Sequence, residues 1–290
     1  MPQDRTILAA EGVSKTFGSV QAVRDLSITL NRGDIVGLVG RNGAGKSTLL
    51  GMLLDVVRPT SGRVRLLAGL SRKDIAGTVN RPGFMPAISV RRALGAWAGL
   101  TGATTRRRSA LVEVLGIDRI LSRRVATLSL GESQRLALAV TLLRDPDVLI
   151  LDEPGNGLDP EGAREVRRFL RARADSGKAV LVSSHQLTEL EQVCTHFVLM
   201  NGGRAEVTGT RDVIVSGEAG VVITCGEPRR FAEALDAFPG ATVTVEDGEV
   251  HVLGDMDGSD ILQHLARHGL FPSELRRRKR TLSDVYFEVT

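Results

Sequence analysis

The glycine-rich stretch GRNGAGKST at residues 40–48 constrains the fold of this chain more than any other feature. An apolar run typical of a buried strand precedes it, and an apolar helical pattern follows it. The glycines permit a tight loop whose inward N–H groups, with the helix N-terminus, can bind phosphate. The lysine adds a mobile cation, and the serine hydroxyl can ligate Mg²⁺. The stretch predicts a nucleoside triphosphate site made of Gly40, Asn42, Gly43, Ala44, Gly45, Lys46, Ser47 and Thr48.

A second chemical feature is the pair of carboxylates, Asp152 and Glu153, that ends an apolar strand at residues 146–154. Burying carboxylates there is costly unless they bind a cation or position a water. Adjacent residues of a strand point to opposite faces, so Asp152 could enter the shell of Mg²⁺ while Glu153 faces an attacking water. The alternative is a solvated strand end before a proline turn. The phosphate loop favours the catalytic interpretation.

Strands alternate with helical segments through the larger, N-terminal part of the chain. Further buried strands are predicted at residues 178–185 and 196–203. This alternation predicts an α/β fold with a mostly parallel sheet covered on both faces. Residues 89–143 have mainly helical patterns, which predicts a helical insertion beside the sheet.

The pattern changes near residue 210. The next segments are predicted to be, in order, a strand, a helix that begins with proline, two alternating strands joined at Asp247-Gly248, and a second helix. With a last strand near residues 273–278, this order is typical of a small ferredoxin-like α+β module. We therefore expect a C-terminal accessory module at residues 213–290.

The segment LSLGESQRLALA at residues 128–139 predicts the start of a helix. Ser129 can cap this helix, and Glu132 follows at the spacing of a capping box. Gly131 would also let a ligand approach the backbone, and a helix start can bind an anion. The segment alone leaves both interpretations open.

Taken in order, these motifs resemble the ATP-binding subunits of ABC transporters over roughly residues 5–212. Residues 128–132 are similar to that family's signature, usually Leu-Ser-Gly-Gly-Gln, and residues 157–159 to the loop after its catalytic strand. His185 is placed like the family's switch histidine and Phe17 like its adenine-stacking aromatic. The Ser-Leu-Gly signature and the segment TLSDVYFEVT resemble single-domain drug and antibiotic exporter subunits of the daunorubicin-resistance and lantibiotic-immunity types.

The resemblance implies a P-loop NTPase fold whose mostly parallel sheet carries an antiparallel β subdomain and a helical subdomain at about residues 85–145. These would form a nucleotide-binding domain at residues 1–212. The implied function is an ATPase, with ATP and Mg²⁺ as cofactors, that powers a separate transmembrane permease. Two copies would dimerise head to tail, and each ATP would lie between the phosphate loop of one copy and the signature of the other.

The resemblance also implies roles for single residues. Glu153 and His185 would act in hydrolysis. His185 would contact the γ-phosphate, although a structural role is the alternative for a lone histidine. Phe17 would stack on adenine, although a plain core aromatic is the alternative. Asp159 would bridge the two subunits, or would merely form an Asp-Pro turn. The residues presented to the second copy would be Ser129, Leu130, Gly131 and Glu132.

The chain departs from the family at three positions. Alignment of residues 82–84 with the exporter pattern places Asn80 where the family has Gln or Glu near Mg²⁺. Its shorter side chain could reach the metal through a water. Leu130 replaces the usual first glycine of the signature, and Glu132 replaces glutamine. A carboxylate is unfavourable near phosphate, so we expect Glu132 to face its own helix or the permease.

Composition limits the partners and the compartment. No apolar run approaches the ~18–20 residues of a membrane span, and the N-terminal residues lack the order of a secretion signal. The only two cysteines have no metal-ligand spacing, which indicates reduced thiols in a cytoplasm. Together with this, the family resemblance implies a location on the cytoplasmic face of the plasma membrane. Basic clusters occur, but 3% aromatics leave little to stack bases on, so we expect no nucleic-acid partner. The alternatives are a soluble ABC ATPase acting on ribosomes or DNA, and a regulatory ATP-binding module with weak turnover.

Overall fold

The computed structural model describes residues 5–67, 69–79, 83–185, 187–216, 218–254 and 256–289. The strands β1 to β13 are, in chain order, Thr6–Phe17, Val20–Asn31, Ile35–Gly40, Ser61–Leu66, Ile75–Thr78, Val148–Asp152, Ala179–Ser184, His196–Asn201, Arg204–Thr210, Glu218–Thr224, Thr242–Glu246, Glu249–Leu253 and Glu274–Lys279. The helices α1 to α10 are Lys46–Leu53, Val90–Thr101, Thr105–Val114, Leu130–Leu142, Pro160–Asp175, Leu187–Glu191, Arg211–Ile214, Pro228–Leu235, Gly258–Arg267 and Leu282–Val289. They form two compact units, one ending at Thr210 and one spanning Arg211–Val289.

The first unit is organised around a six-stranded sheet of order β5-β6-β7-β3-β8-β9. The first five strands are parallel, and β9 is antiparallel to β8. Strands β3 and β7 are buried along their whole length, as expected where both faces of a parallel sheet are covered. Parallel strands align their carboxyl ends. The segments that follow β3, β6 and β7 therefore lie at one edge of the sheet.

A separate antiparallel sheet of order β2-β1-β4 belongs to the same unit. Its inward side chains, including Leu8 and Leu26, share one hydrophobic core with Leu38 of β3 and Leu50 of α1. The antiparallel β subdomain that the family resemblance implied is therefore present.

Helices α2, α3 and α4 form the helical insertion between β5 and β6. Ser89 caps α2 by accepting a hydrogen bond from Arg92 N at 3.3 Å. On α3, the Arg107 guanidinium donates to Leu142 O at the end of α4 and lies 2.9 Å from the Asp145 carboxylate. These contacts attach α3 to the turn that leads from α4 into β6. None of the helices in the described part of the chain has the length and apolar character of a membrane span.

The second unit contains an antiparallel sheet of order β11-β12-β10-β13. The Asp247-Gly248 turn between β11 and β12 has positive φ at both residues, as a tight hairpin requires. Helices α8 and α9 cover one face through Phe231 and Leu265. Asp257 caps α9, and its carboxylate accepts a hydrogen bond from Ser259 N at 3.1 Å. Helix α10 was not predicted.

Candidate functional site

The loop between β3 and α1 has the conformation that its glycines predict. Gly43 and Gly45 have φ values of +85° and +99°, a region that side chains disfavour. A Cβ on Gly45 would also lie 2.3 Å from the backbone oxygen of Ala22. Helix α1 begins at Lys46, so its free N–H groups lie beside the loop. Asn42, Gly43 and Ser47 are exposed, Gly45 and Thr48 are half-buried, and Gly40 and Ala44 are buried.

Lys46 is the cation of this loop. Its ammonium group donates to Gly40 O at 2.6 Å and to Arg41 O at 3.2 Å, and the residue is only 7% exposed. Burial lowers the pKa of Lys46, and the charges of Glu153 and Asp152 oppose that shift. The structure thus holds a desolvated cation against the loop, within the field of both carboxylates.

The Asp152 carboxylate at the end of β6 joins the loop to β7. Its Oδ2 accepts from the Ser47 hydroxyl at 2.9 Å, and its Oδ1 accepts from the Ser183 hydroxyl at 2.5 Å. Ser183 is completely buried. The arrangement brings the oxygen atoms of Ser47 and Asp152 together at the edge of the sheet. Mg²⁺ prefers oxygen ligands of this kind.

Glu153 leaves the strand in a strained conformation. Its φ of +49° is uncommon for a residue other than glycine, and such strain often marks functional sites. Its backbone N–H donates to the Ser183 hydroxyl at 3.0 Å and to Ser183 O at 3.2 Å. A hydrogen bond of 2.8 Å joins its Oε2 to His185 Nδ1. The carboxylate and the imidazole therefore form a pair at the carboxyl ends of β6 and β7.

The predicted signature segment lies at the start of α4. The Ser129 hydroxyl accepts from Glu132 N at 3.2 Å, and Glu132 Oε2 accepts from Ser129 N at 2.8 Å. This is the reciprocal capping box that the sequence left open as one interpretation. Leu130 packs over Gly157, and a Cβ on Gly131 would lie 2.8 Å from Gly157 O. Ser129 and Leu130 remain exposed.

Three other predicted site residues lie apart from this cluster or outside the described residues. Phe17 is 51% exposed at the end of β1, with Lys15 Nζ 4.9 Å from its ring centre, so the alternative of a core aromatic is wrong. Asp159 caps α5 by accepting from Gly162 N at 2.9 Å, immediately before Pro160. Its bridging role stays a prediction. Asn80 lies outside the described residues.

The structure brings together Lys46, Ser47, Asp152, Glu153 and His185 and adds Ser183, which the sequence did not suggest. Its position two residues before His185 on a buried strand was the only available signal, because no motif required a hydroxyl there. The signature residues are held instead against residues 157–158. One chain therefore presents two separate groups of predicted site residues.

Comparison with known proteins identifies the relatives of the chain. The family model described as ABC transporter matches residues 23–156. The chain is 36% identical over 208 residues to the bacitracin transport ATP-binding protein BcrA of Bacillus licheniformis, covering 69% of this chain and 68% of that protein. It is 34% identical over 247 residues to the Nod factor export ATP-binding protein I of Rhizobium etli, covering 80% and 78%.

A solved structure described as the ATP-binding subunit of an ABC transporter is similar in fold. Its TM-score is 0.67 at 26% sequence identity, and the match covers 72% of this chain and 92% of the solved chain. The sequence and structural comparisons agree on one family.

Proposed function

The chain belongs to the ABC transporter family as an ATP-hydrolysing subunit of the exporter type, and from this premise we propose that two copies enclose ATP and Mg²⁺ and drive a separate membrane permease. The observation that carries the proposal is the junction of Lys46, Ser47, Asp152, Glu153 and His185 at one sheet edge. Ligands of open α/β sheets bind at this edge.

The phosphates of ATP bind the loop at residues 40–48. The N–H groups at the start of α1 donate to the phosphate oxygens, and Lys46 exchanges its carbonyl partners for the β- and γ-phosphates. Phe17, already exposed, stacks on the adenine ring. The phosphate charge offsets the desolvation that lowers the pKa of Lys46, so the ammonium form is stabilised when ATP binds.

The donor set at the sheet edge fits Mg²⁺. The Ser47 hydroxyl and the Asp152 carboxylate, 2.9 Å apart, are hard oxygen ligands next to the phosphate loop. When bound, Mg²⁺ neutralises phosphate charge. Ser183 fixes the second oxygen of Asp152, which leaves Oδ2 to face Ser47. Asn80 is the third candidate, through a water.

Glu153 and His185 act on the attacking water. The Glu153 carboxylate takes a proton from the water as the water oxygen attacks the γ-phosphorus, and the bond from the γ-phosphorus to the bridging oxygen breaks so that this oxygen leaves with ADP. His185 Nδ1 donates to Glu153 Oε2, which orients the carboxylate. The positive φ and the two backbone hydrogen bonds to Ser183 hold Glu153 in place before the reaction.

The signature residues serve the ATP of a second copy. Ser129 and the N–H of Gly131 contact its γ-phosphate in a head-to-tail dimer, with Asp159 between the subunits. Exposure of Ser129 at a helix start supports this arrangement, because such a start is ready to bind an anion. Loss of the γ-phosphate removes the contact between copies, so hydrolysis loosens the dimer.

The remaining parts of the proposal concern organisation. Residues 1–212 form the nucleotide-binding domain, which lies at the cytoplasmic face of the membrane beside the permease. Residues 213–290 form a ferredoxin-like accessory module, as the strand order β11-β12-β10-β13 supports. The permease selects the substrate.

The test of this function is Glu153→Gln. Steady ATP hydrolysis should fall at least about a hundredfold, because the substitution removes the proton acceptor. ATP should still bind and should convert the variant from monomer to dimer in light scattering. The matched control, Glu206→Gln, removes an exposed carboxylate on β9 and should keep normal turnover. Unchanged turnover in Glu153→Gln, or a monomer at saturating ATP, would contradict the proposal.

A further inference from the structure

The carboxylate of Glu132 lies in the first turn of α4, and the structure gives it two partners. Its Oε2 accepts from Ser129 N at 2.8 Å within the capping box. Its Oε1 accepts from Arg123 Nη1 at 2.6 Å. Each oxygen is thus occupied by a donor of the chain itself, one from the backbone and one from an arginine.

Arg123 is held in place independently of Glu132. Its N–H donates to Ile120 O at 3.0 Å, and its carbonyl accepts from Val90 N at 3.0 Å, at the start of α2. Its second guanidinium nitrogen donates to Thr127 O. The cation is therefore fixed beside the start of α4 by the fold of the insertion.

The charge of Glu132 affects anion binding because the residue lies in the first turn of α4. The start of α4 offers N–H groups and the positive end of the helix dipole to an anion. An unbalanced carboxylate in the first turn cancels that positive charge and repels a phosphate nearby. Arg123 and Glu132 are 40% and 28% exposed, so solvent weakens the interaction between them without abolishing the local balance of charge.

We infer that Arg123 is a positioning residue for ATP hydrolysis, whose guanidinium neutralises Glu132 so that the start of α4 can receive the terminal phosphate of ATP held by a second copy. This inference rests on the proposed function of the signature in the dimer. It explains how the chain tolerates a carboxylate at a helix start that receives phosphate. Arg123 acts through Glu132 and does not touch the substrate.

The experiment measures Arg123→Gln in two backgrounds, the natural chain and Glu132→Gln. In the natural chain, Arg123→Gln should raise the KM for ATP hydrolysis about tenfold, since it leaves the carboxylate unbalanced near phosphate. In the Glu132→Gln background, the same substitution should change KM less than about twofold, because no charge remains to neutralise. The tenfold effect should shrink in high salt, which screens repulsion between the carboxylate and phosphate.

The matched control is Arg124→Gln, which removes the same charge from the adjacent exposed arginine and should leave KM unchanged. If Arg123→Gln raises KM equally in both backgrounds, its role is structural and the inference is wrong. An unchanged KM in the natural chain would overturn it as well.

Failure of the proposed function gives a different result. In that case Glu153→Gln stays monomeric with ATP although its signature is intact. The inference itself is tested in that same Glu153→Gln chain, where Arg123→Gln should raise the ATP concentration needed for dimerisation and leave ATP binding to the monomer unchanged. Circular dichroism of each variant verifies folding.

Discussion

Replacement of Asp145 by asparagine tests how the turn that follows α4 is anchored to α3, to α5 and to Lys178. Asp145 lies in the turn between α4 and β6. Its Oδ1 lies 2.9 Å from Arg107 Nη2 and 2.8 Å from Lys178 Nζ, and it accepts a hydrogen bond from Arg173 Nη1. Its φ is +54°, a conformation that asparagine tolerates. Asp145→Asn therefore removes the charge while preserving shape and backbone.

The expected loss in the free energy of unfolding follows from how exposed Asp145 and its partner Arg173 are. The Arg173 side chain is 10% exposed, whereas that of Asp145 is 43% exposed. Removing one partner of a fully buried ion pair costs about 3–5 kcal/mol, and an exposed pair contributes about 0–1 kcal/mol. We expect Asp145→Asn to lower the free energy of unfolding by about 2 kcal/mol, between these limits. For a unit of this size, that lowers Tm by about 4–8 °C.

The assay is urea unfolding followed by fluorescence of Trp97 on α2, the single tryptophan of the chain. The matched control is Asp55→Asn. Asp55 also has a positive φ, +62°, but its ion pair with Arg72, at 3.3 Å, is exposed on both sides. The control should change the free energy of unfolding by less than about 0.5 kcal/mol. Equal stability of Asp145→Asn and the natural chain at pH 7 would refute the reasoning.

The difference in the free energy of unfolding between the natural chain and Asp145→Asn should depend on pH with a definite sign. Burial alone would raise the pKa of Asp145, but hydrogen bonds from Lys178 and Arg173 and the charge of Arg107 hold it well below its ordinary value. The carboxylate therefore stabilises the fold fully above the unfolded pKa of about 4, and this contribution is lost as pH falls through the lower folded pKa. The gap between natural chain and variant should be constant from neutral pH to about pH 5 and should shrink below about pH 4.

Two further predictions concern the site. Ser183→Ala should lower kcat about tenfold, because it removes the hydroxyl that fixes both the Asp152 carboxylate and the Glu153 N–H. The control is Ser184→Ala, on the opposite face of β7. Equal kcat values in the two variants would contradict the positioning role of Ser183. Phe17→Ala should raise the KM for ATP about tenfold through loss of stacking, whereas Phe17→Leu should recover only part of it; an unchanged KM in Phe17→Ala would exclude adenine stacking.

The parts of the site that the sequence predicted are those whose geometry is local. The phosphate loop needs glycines at fixed positions, and the positive φ of Gly43 and Gly45 is the physical reason. The capping box of Ser129 and Glu132 likewise depends on residues three apart. Such features can be inferred without knowing which strands pair.

The parts that the sequence did not predict depend on long-range packing. Ser183 contacts Asp152 only because β6 and β7 pair with Asp152 opposite Ser183, thirty-one residues along the chain. The neutralisation of Glu132 required the position of Arg123, which the insertion sets. Helix α10 is too short for its apolar residues to give a clear period, and it buries Leu282 and Val285.

Leu130, one of the two signature residues that differ from the family pattern, contacts the loop that follows Glu153. A Cβ on Gly157 would lie 2.4 Å from Leu130 Cδ2, so Leu130 is closely packed against the loop that follows Glu153. Close packing means that neither side can shift without the other. In a head-to-tail dimer, this loop would belong to one ATP site and the signature to the other. A change of the loop at Glu153 would then move the first turn of α4 through the Leu130–Gly157 contact, and this movement would couple the two sites within a single chain.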